Sequence, residues 1–395
     1  MRYWAVSLCA FSLLAAEEED LVAKVEMSIL TRADNLPIES FADATDPYLE
    51  GYIQALIDVH YYEYRVIVIV KDHKVFLANL PHNDLLASSI ISFVSDVPGV
   101  KSVEATDVTP QELEARKNYV EQPRVGGVWF PQSTVLFPPL VADPRQPVNS
   151  AALRVGDKVC GNICAAVSLG DDFPFFRWLD VFPCHGDMQI GIEAGIWSVF
   201  NYSNIPNKPK GESCELVNTD YLVGIPVTYA FDAWSFRFRL YHISSHLGDE
   251  YLCNHKGSVS NRRNPSFEAI DLFTSYQFLT GVRGYFGPGV VFHSDDSFPM
   301  KPLYVEYGIE LRLFGKRFDY HGLYGTPFLA IHMENWQQRK WGWDVTAKLG
   351  YELSKLQGLG RKFRVYVDYH HGYSYEGQFF NDRTEYGEFG ISWGF

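Results

Sequence analysis

Segment after segment in the second half of this chain alternates apolar with polar residues, and that period of two leaves little choice of architecture. Leu303, Val305, Tyr307, Ile309, Leu311 and Leu313 alternate with Glu306, Glu310 and Arg312. Trp341, Trp343, Val345, Ala347, Leu349, Tyr351 and Leu353 alternate with Asp344, Lys348 and Glu352, and Phe363, Val365, Val367 and Tyr369 with Arg364, Asp368 and His370. Successive side chains of a strand point to opposite faces, so each segment has one face that carries charge and one that carries none. In the stretch Trp234 to Glu250, Trp234, Phe236, Phe238 and Leu240 fall on one parity and Ser235, Arg237, Arg239 and Tyr241 on the other. A soluble β-sandwich also alternates. The number of such strands, the terminal aromatics and the character of the first residues favour a transmembrane barrel with lipid outside and a polar lumen inside. The longest apolar run lies at the very N-terminus, and no segment reaches the roughly 20 residues of a spanning helix. Any membrane span is therefore β.

Ten strands are clear: 187–201, 219–231, 234–244, 267–279, 282–293, 303–314, 326–335, 341–354, 362–373 and 384–395. The cysteine-containing region 151–180 adds two more in a twelve-stranded reading. An even number puts both barrel ends on the periplasmic side. Connections containing residues 202–218, 245–266, 294–302, 336–340 and 374–383 then face outward. Pro226, inside the strand Asp220 to Phe231, implies a bulge or a weak pairing.

The content of aromatics, 15%, and of glycine, 31 residues, is high for a soluble enzyme and ordinary for a barrel. A net charge of −14 argues against a nucleic-acid partner. The opening MRYWAVSLCAFSLLAAEEED has one Arg, an apolar centre and small residues before Glu17, Glu18, Glu19 and Asp20, the pattern of a signal peptide over 1–16. Cys9 leaves with it. Cys160, Cys164, Cys184, Cys214 and Cys253 remain, an odd number in a compartment that permits disulfides. Cys160 and Cys164 have no second pair at metal-ligand spacing.

Residues 46–108 have a different texture. YLEGYIQALIDV and LLASSIISFVSDV carry apolar residues at helical spacing, while YRVIVIV, KVFLANL and the stretch after Pro98 read as strands. This αββαβ order, with Val97-Pro98-Gly99-Val100-Lys101-Ser102-Val103 at its close, resembles a BON domain. The resemblance implies a periplasmic module that contacts phospholipid or cell-envelope surfaces. Asp72, His73 and Lys74 stand at the turn where that family usually has a glycine, and Asn79 where it has a small residue. Residues 109–150 are charged and helical, then proline-rich, and read as a linker or a segment lying along the barrel of 151–395. The fold class is thus an α+β N-terminal module followed by an antiparallel transmembrane β-barrel of ten or twelve strands.

Chemistry points to the end of the strand from Trp234. His242 and Ser244 continue its apolar, lipid-facing parity, as a base and a nucleophile on one face would. Tyr241-His242-Ile243-Ser244-Ser245 resembles the His-x-Ser of outer-membrane phospholipase A and of the lipid A deacylase. The resemblance implies His242 as base and Ser244 as nucleophile toward an acyl ester. Those families commonly have Asn where this chain has Ser245. The third residue is open between Glu250, Asn254 and Glu268. An interfacial His and Ser of no catalytic role is the competing reading. His242, His246, Asp249, Glu250 and His255 lie close in sequence, but strand positions four apart are about 13 Å from one another, so His242 and His246 share an ion only if the chain turns sharply at Ser245. No nucleotide or thiol-protease pattern occurs, and neither cofactor nor metal is expected.

Residues 138–395 also look like an uncharacterised family of bacterial outer-membrane proteins, through Ala142-Asp143-Pro144-Arg145, Asp220-Tyr221-x-Val223-Gly224 and His242-Ile243-Ser244-Ser245-His246-Leu247-Gly248-Asp249-Glu250. Phe389, Ile391, Trp393 and Phe395 share one parity, which resembles the C-terminal signal read by the barrel assembly machinery. The expectation is an outer-membrane envelope protein in contact with lipid, with a non-enzymatic structural or binding role; a lipid acyl hydrolase using His242 and Ser244 is the first alternative left open and a small pore the second.

Overall fold

The computed structural model describes residues 44–61, 64, 66–106, 126–131, 135–203, 205, 214–255, 265–279, 281–312, 316–318, 323–354 and 361–395. The expected signal peptide, Cys9 and the charged stretch of 110–124 lie outside the described residues.

The first described elements are α1 (Asp46–His60), β1 (Ile67–Lys71), β2 (Lys74–Ala78), α2 (Asp84–Ser95) and β3 (Ser102–Ala105). Leu49, Ile53 and Ile57 lie four residues apart, so they form one stripe of α1, and all three are fully buried. Asn83 caps α2, its Oδ1 accepting from the Leu86 amide at 3.0 Å. Leu86, Ile90 and Val94 of α2 close over Val68, Val70, Val75 and Leu77. β2 is central, antiparallel to β1 and parallel to β3.

A short β4 (Gly127–Trp129) precedes β5 (Asn149–Asp157), β6 (Gly161–Val181), β7 (Gly186–Asn201), β8 (Glu215–Phe231) and β9 (Trp234–Leu247). After a helix α3 (Asp249–Asn254) come β10 (Ser266–Leu279), β11 (Val282–Ser294), β12 (Leu303–Arg312), β13 (Lys316–Phe318), β14 (Leu323–Trp336), β15 (Asp344–Ser354), β16 (Lys362–Tyr373) and β17 (Arg383–Gly394). Each strand from β5 to β12 pairs with the next, β12 pairs with β14, and β17 returns to pair with β5. The result is a closed antiparallel barrel of twelve strands. β5 and β6 are the two additional strands from the cysteine-containing region.

Closure leaves no strand edge, which a membrane would leave without hydrogen-bond partners. Phe238, Leu272, Phe286, Leu349, Val367 and Phe389 point outward and are exposed, while Arg237, Arg239, Asp271, Arg283, Glu310 and Glu352 point inward and are buried. No described helix is long and apolar enough to cross a membrane.

One element differs from the sequence reading, and a second settles between its two alternatives. The proline-rich passage, expected as a linker or a segment lying along the barrel, runs inside it. Its Pro138 and Pro139 carbonyls accept from Arg283 at 2.7 and 3.2 Å, and its Val141 amide donates to Glu310 at 2.9 Å. A proline-rich chain cannot join a sheet, but its free carbonyls suit lumenal arginines. At Pro226, of the bulge or weak pairing expected, it is the weak pairing that occurs. The β7–β8 register is the same on both sides of it, and the ladder is simply interrupted between Ile190↔Val227 and Glu193↔Gly224, as expected where an amide hydrogen is missing.

The last aromatic also departs from its row. Phe389, Ile391 and Trp393 face outward, whereas Phe395 lies beyond the final strand pair and is buried, 4.4 Å beneath the Arg361 guanidinium. The barrel end that bears the turns at 182–185 and 232–233 also meets the N-terminal elements. There the buried Arg177 donates to the Tyr64 hydroxyl at 3.1 Å, and the Asp84 amide to the Asp232 carbonyl at 2.8 Å.

Candidate functional site

β9 keeps its alternation to its end, because Ser245 is buried in the lumen while His242, Ser244 and His246 stand on the outward side. β10 lies antiparallel beside it, with Glu268 directly opposite His242 and Ser266 opposite Ser244. Directly opposed residues on one face of an antiparallel pair have Cβ atoms about 5 Å apart, within reach of an imidazole and a carboxylate. His242 Nδ1 is 2.8 Å from Glu268 Oε1, with side-chain exposures of 38% and 33%, so the pair sits at the wall rather than in free solution.

The second carboxylate oxygen of Glu268 meets Nδ1 of His293 on β11. Straight alternation along β11 assigns His293 to the lumen with Arg283, Tyr285 and Val291. A bulge overturns this. Ala269 pairs with Val291 but Glu268 with His293, so Phe292 is an extra residue and His293 is re-aimed outward. No sequence signal marks that bulge, which is why His293 escaped the reading of the sequence.

The other sequence candidates go elsewhere. Glu250 is exposed on α3, and Asn254 donates to Glu215 at 2.8 Å. His255 stacks on Tyr251 with ring centroids 4.0 Å apart and meets Glu215 at 3.2 Å. His246 packs edge-on to Tyr221. β9 does not turn at Ser245, so His242 and His246 are not brought together. Among the described residues no hydrogen bond joins Ser244 to His242.

Chemically, the row offers a carboxylate bonded to Nδ1 of an imidazole, which leaves Nε2 to exchange a proton, and a hydroxyl two residues along the same face. Apolar wall surrounds it: Val223 lies opposite His242 across β8, Tyr221 opposite Ser244, and both are exposed. All five described cysteines are free, Cys160 and Cys164 buried and Cys184, Cys214 and Cys253 exposed.

Among solved structures, the chain is similar to the Salmonella typhi outer membrane phospholipase dimer with bound calcium, at 14% identity over 65% of this chain and 98% of that one, with a TM-score of 0.43. It is similar to outer membrane phospholipase A from Escherichia coli at 14% identity, 63% and 92% coverage and a TM-score of 0.43. The β domain of the Bordetella autotransporter Brka follows at 13% identity, 62% and 97% coverage and a TM-score of 0.33. At this degree of likeness nothing about activity or site residues passes from those proteins to this chain. No curated protein matches it. Residues 62–395 match the family described as "Protein of unknown function (DUF1207)", and the chain belongs to that family.

Proposed function

We propose that this protein is an outer-membrane barrel that cleaves acyl esters of lipid at its outer wall. The observation that carries the reading is the 2.8 Å contact of His242 Nδ1 with Glu268, on the same outward face as Ser244. In this reading Ser244 Oγ attacks the acyl carbon as His242 Nε2 takes its proton. Glu268 holds the Nδ1 hydrogen and stabilises the imidazolium. His242 then returns the proton to the departing alcohol, and a water molecule, activated by the same imidazole, releases the fatty acid and restores Ser244. The apolar wall around the row would hold the acyl chains, so the lipid need not leave its layer.

The N-terminal elements, in the order helix, strand, strand, helix, strand, support a BON-like module. We read it as periplasmic, in contact with the envelope, with the C-terminal strand addressed to the barrel assembly machinery. The burial of Phe395 places more weight on Phe389, Ile391 and Trp393 in that address.

A second reading, a non-enzymatic envelope protein, draws support from the missing Ser244–His242 hydrogen bond and from the sharing of Glu268 between two histidines. Fatty-acid release by the refolded protein from phospholipid and from lipopolysaccharide separates the two. Turnover should fall about a thousandfold or more in Ser244→Ala and His242→Ala. Glu268→Gln should fall less, because the ring keeps a hydrogen-bond acceptor. Equal or absent release in wild type and Ser244→Ala, with heat-modifiable barrels in both, leaves the non-enzymatic reading.

A further inference from the structure

We propose that the lumen holds a site for one divalent transition-metal ion, formed by Asp143, Glu306 and His332, which ties the inner segment to the barrel wall. The site is independent of the outer-wall row and of any hydrolase activity. His332 on β14 is fully buried, and its Nε2 has no hydrogen-bond partner. That nitrogen faces Glu306 Oε2 of β12 at 3.8 Å and Asp143 Oδ1 of the inner segment at 4.0 Å. Ligand atoms from all three residues lie within 4.8 Å of one another.

These separations are too long for hydrogen bonds. They are close to what an ion needs, since two ligands about 2.1 Å from a tetrahedral zinc are about 3.4 Å apart, and a contraction of roughly half an ångström brings both His332 distances to that value. The other ring nitrogen is already oriented. His332 Nδ1 is 3.0 Å from the Tyr285 hydroxyl, and in the proposed site that hydroxyl accepts from Nδ1–H, which leaves the Nε2 lone pair toward the carboxylates. Gly308 makes this arrangement possible, because a Cβ there would collide with the Tyr285 hydroxyl.

Charge points the same way. Among the described residues no lysine or arginine forms an ion pair with Asp143 or Glu306. Arg239 is held by Glu193 and Asp271, and Arg339 by Glu334 and Asp344. Two buried carboxylates beside an orphaned imidazole are costly without a cation. One imidazole with two carboxylates suits zinc, manganese or iron(II) rather than calcium or a soft thiolate-bound ion. The other convergence of Asp157, Cys160 and Glu376 differs, because Arg154 already sits on Asp157 and Glu376 there.

The test uses the refolded full chain, stripped with chelator and titrated calorimetrically with Zn²⁺. We expect one ion per barrel, retained in a His242→Ala/His293→Ala chain, which lacks the outer-wall histidines. Binding should weaken at least about tenfold in His332→Asn, in Glu306→Gln and in Asp143→Asn. Asp143 belongs to no barrel strand, so the last variant keeps the test valid if the first two fail to fold. With Co²⁺ as probe, ligand-field bands should appear without a thiolate charge-transfer band. No ion bound by a correctly folded wild type, unchanged affinity in Asp143→Asn, or a thiolate band would overturn the site.

Discussion

Arg239 and Arg237 leave β9 on the same lumenal face two residues apart, and only Arg239 is fully bonded. Its guanidinium donates to Asp271 at 2.8 and 2.5 Å and to Glu193 at 3.2 and 3.3 Å. Arg237 lies between the rings of Phe137 and Phe273, 5.0 and 4.5 Å from their centroids. Its nearest acid, Asp271 Oδ1, is 3.9 Å away, and its Nε and Nη2 have no partner. Removing one member of a bonded buried pair strands the other charges at a cost of about 3–5 kcal/mol. Arg237→Met instead loses ring contacts worth about 1–2 kcal/mol and removes unsatisfied donors that cost about as much. Denaturant unfolding in detergent should therefore show Arg239→Met strongly destabilised and Arg237→Met within about 1 kcal/mol of wild type. Equal losses in the two variants would show that Arg237 has a partner of comparable strength. At this scale the sequence was legible as parity: it assigned both arginines to the lumen and His242 and Ser244 to the wall. Parity says nothing of which acid an arginine finds.

The hairpin of β1 and β2 turns at Asp72 and His73, both in the left-handed region with φ of 52° and 62°, where glycine is the usual choice. The carboxylate of Asp46, the first residue of α1, accepts from both turn amides, from Asp72 at 2.7 Å and His73 at 3.0 Å. Those bonds, His73's foremost, lower the Asp46 pKa below its ordinary 3.8. A carboxyl with a depressed pKa in the fold contributes stability that is present above the unfolded-state value and lost as pH falls through the lower folded value. Hydrogen exchange over residues 67–78, corrected for intrinsic rates, should accelerate below about pH 4 in wild type. Asp46→Asn should be faster already at neutral pH and lose that acid dependence. A turn equally protected in the variant would remove Asp46 from the account. The sequence showed the hairpin and the missing glycine, but not this cap, because Asp46 lies 26 residues away from the turn. The same limit applies to the wall row. Alternation located β9 and β10, whereas the residue opposite His242 depends on register across a long connection, and the outward turn of His293 on a bulge. The inner segment was illegible for a related reason: prolines exclude a sheet equally well inside a barrel and outside it.

Over the whole molecule, strand number sets a problem that the inner segment solves. Barrels of about eight strands are filled by their own side chains, and those of sixteen or more leave an aqueous channel. Twelve strands fall between, so lumenal side chains alone leave a gap. Two features fill it. Arginines bridge the lumen through shared acids: Arg283 and Arg312 meet on Glu310, Arg312 and Arg364 on Glu352, and Arg154 joins Glu376 to Glu388. The inner segment then buries Phe137, Leu140 and Ala142 among them and pairs Arg145 with Asp220. A lumen blocked in this way conducts little, which makes the pore the weakest of the three functions first left open. In planar bilayers the wild type should show no large, stable conductance. Replacing residues 136–146 with a Gly/Ser stretch of equal length removes the apolar anchors, the carbonyl acceptors' fixed geometry and Arg145, while leaving every barrel strand intact. That variant should open stepwise conductances at least several-fold above wild type. If wild type itself conducts steadily, the segment is a constriction lining a channel. If the variant stays closed with its barrel intact, the arginine bridges alone close the lumen.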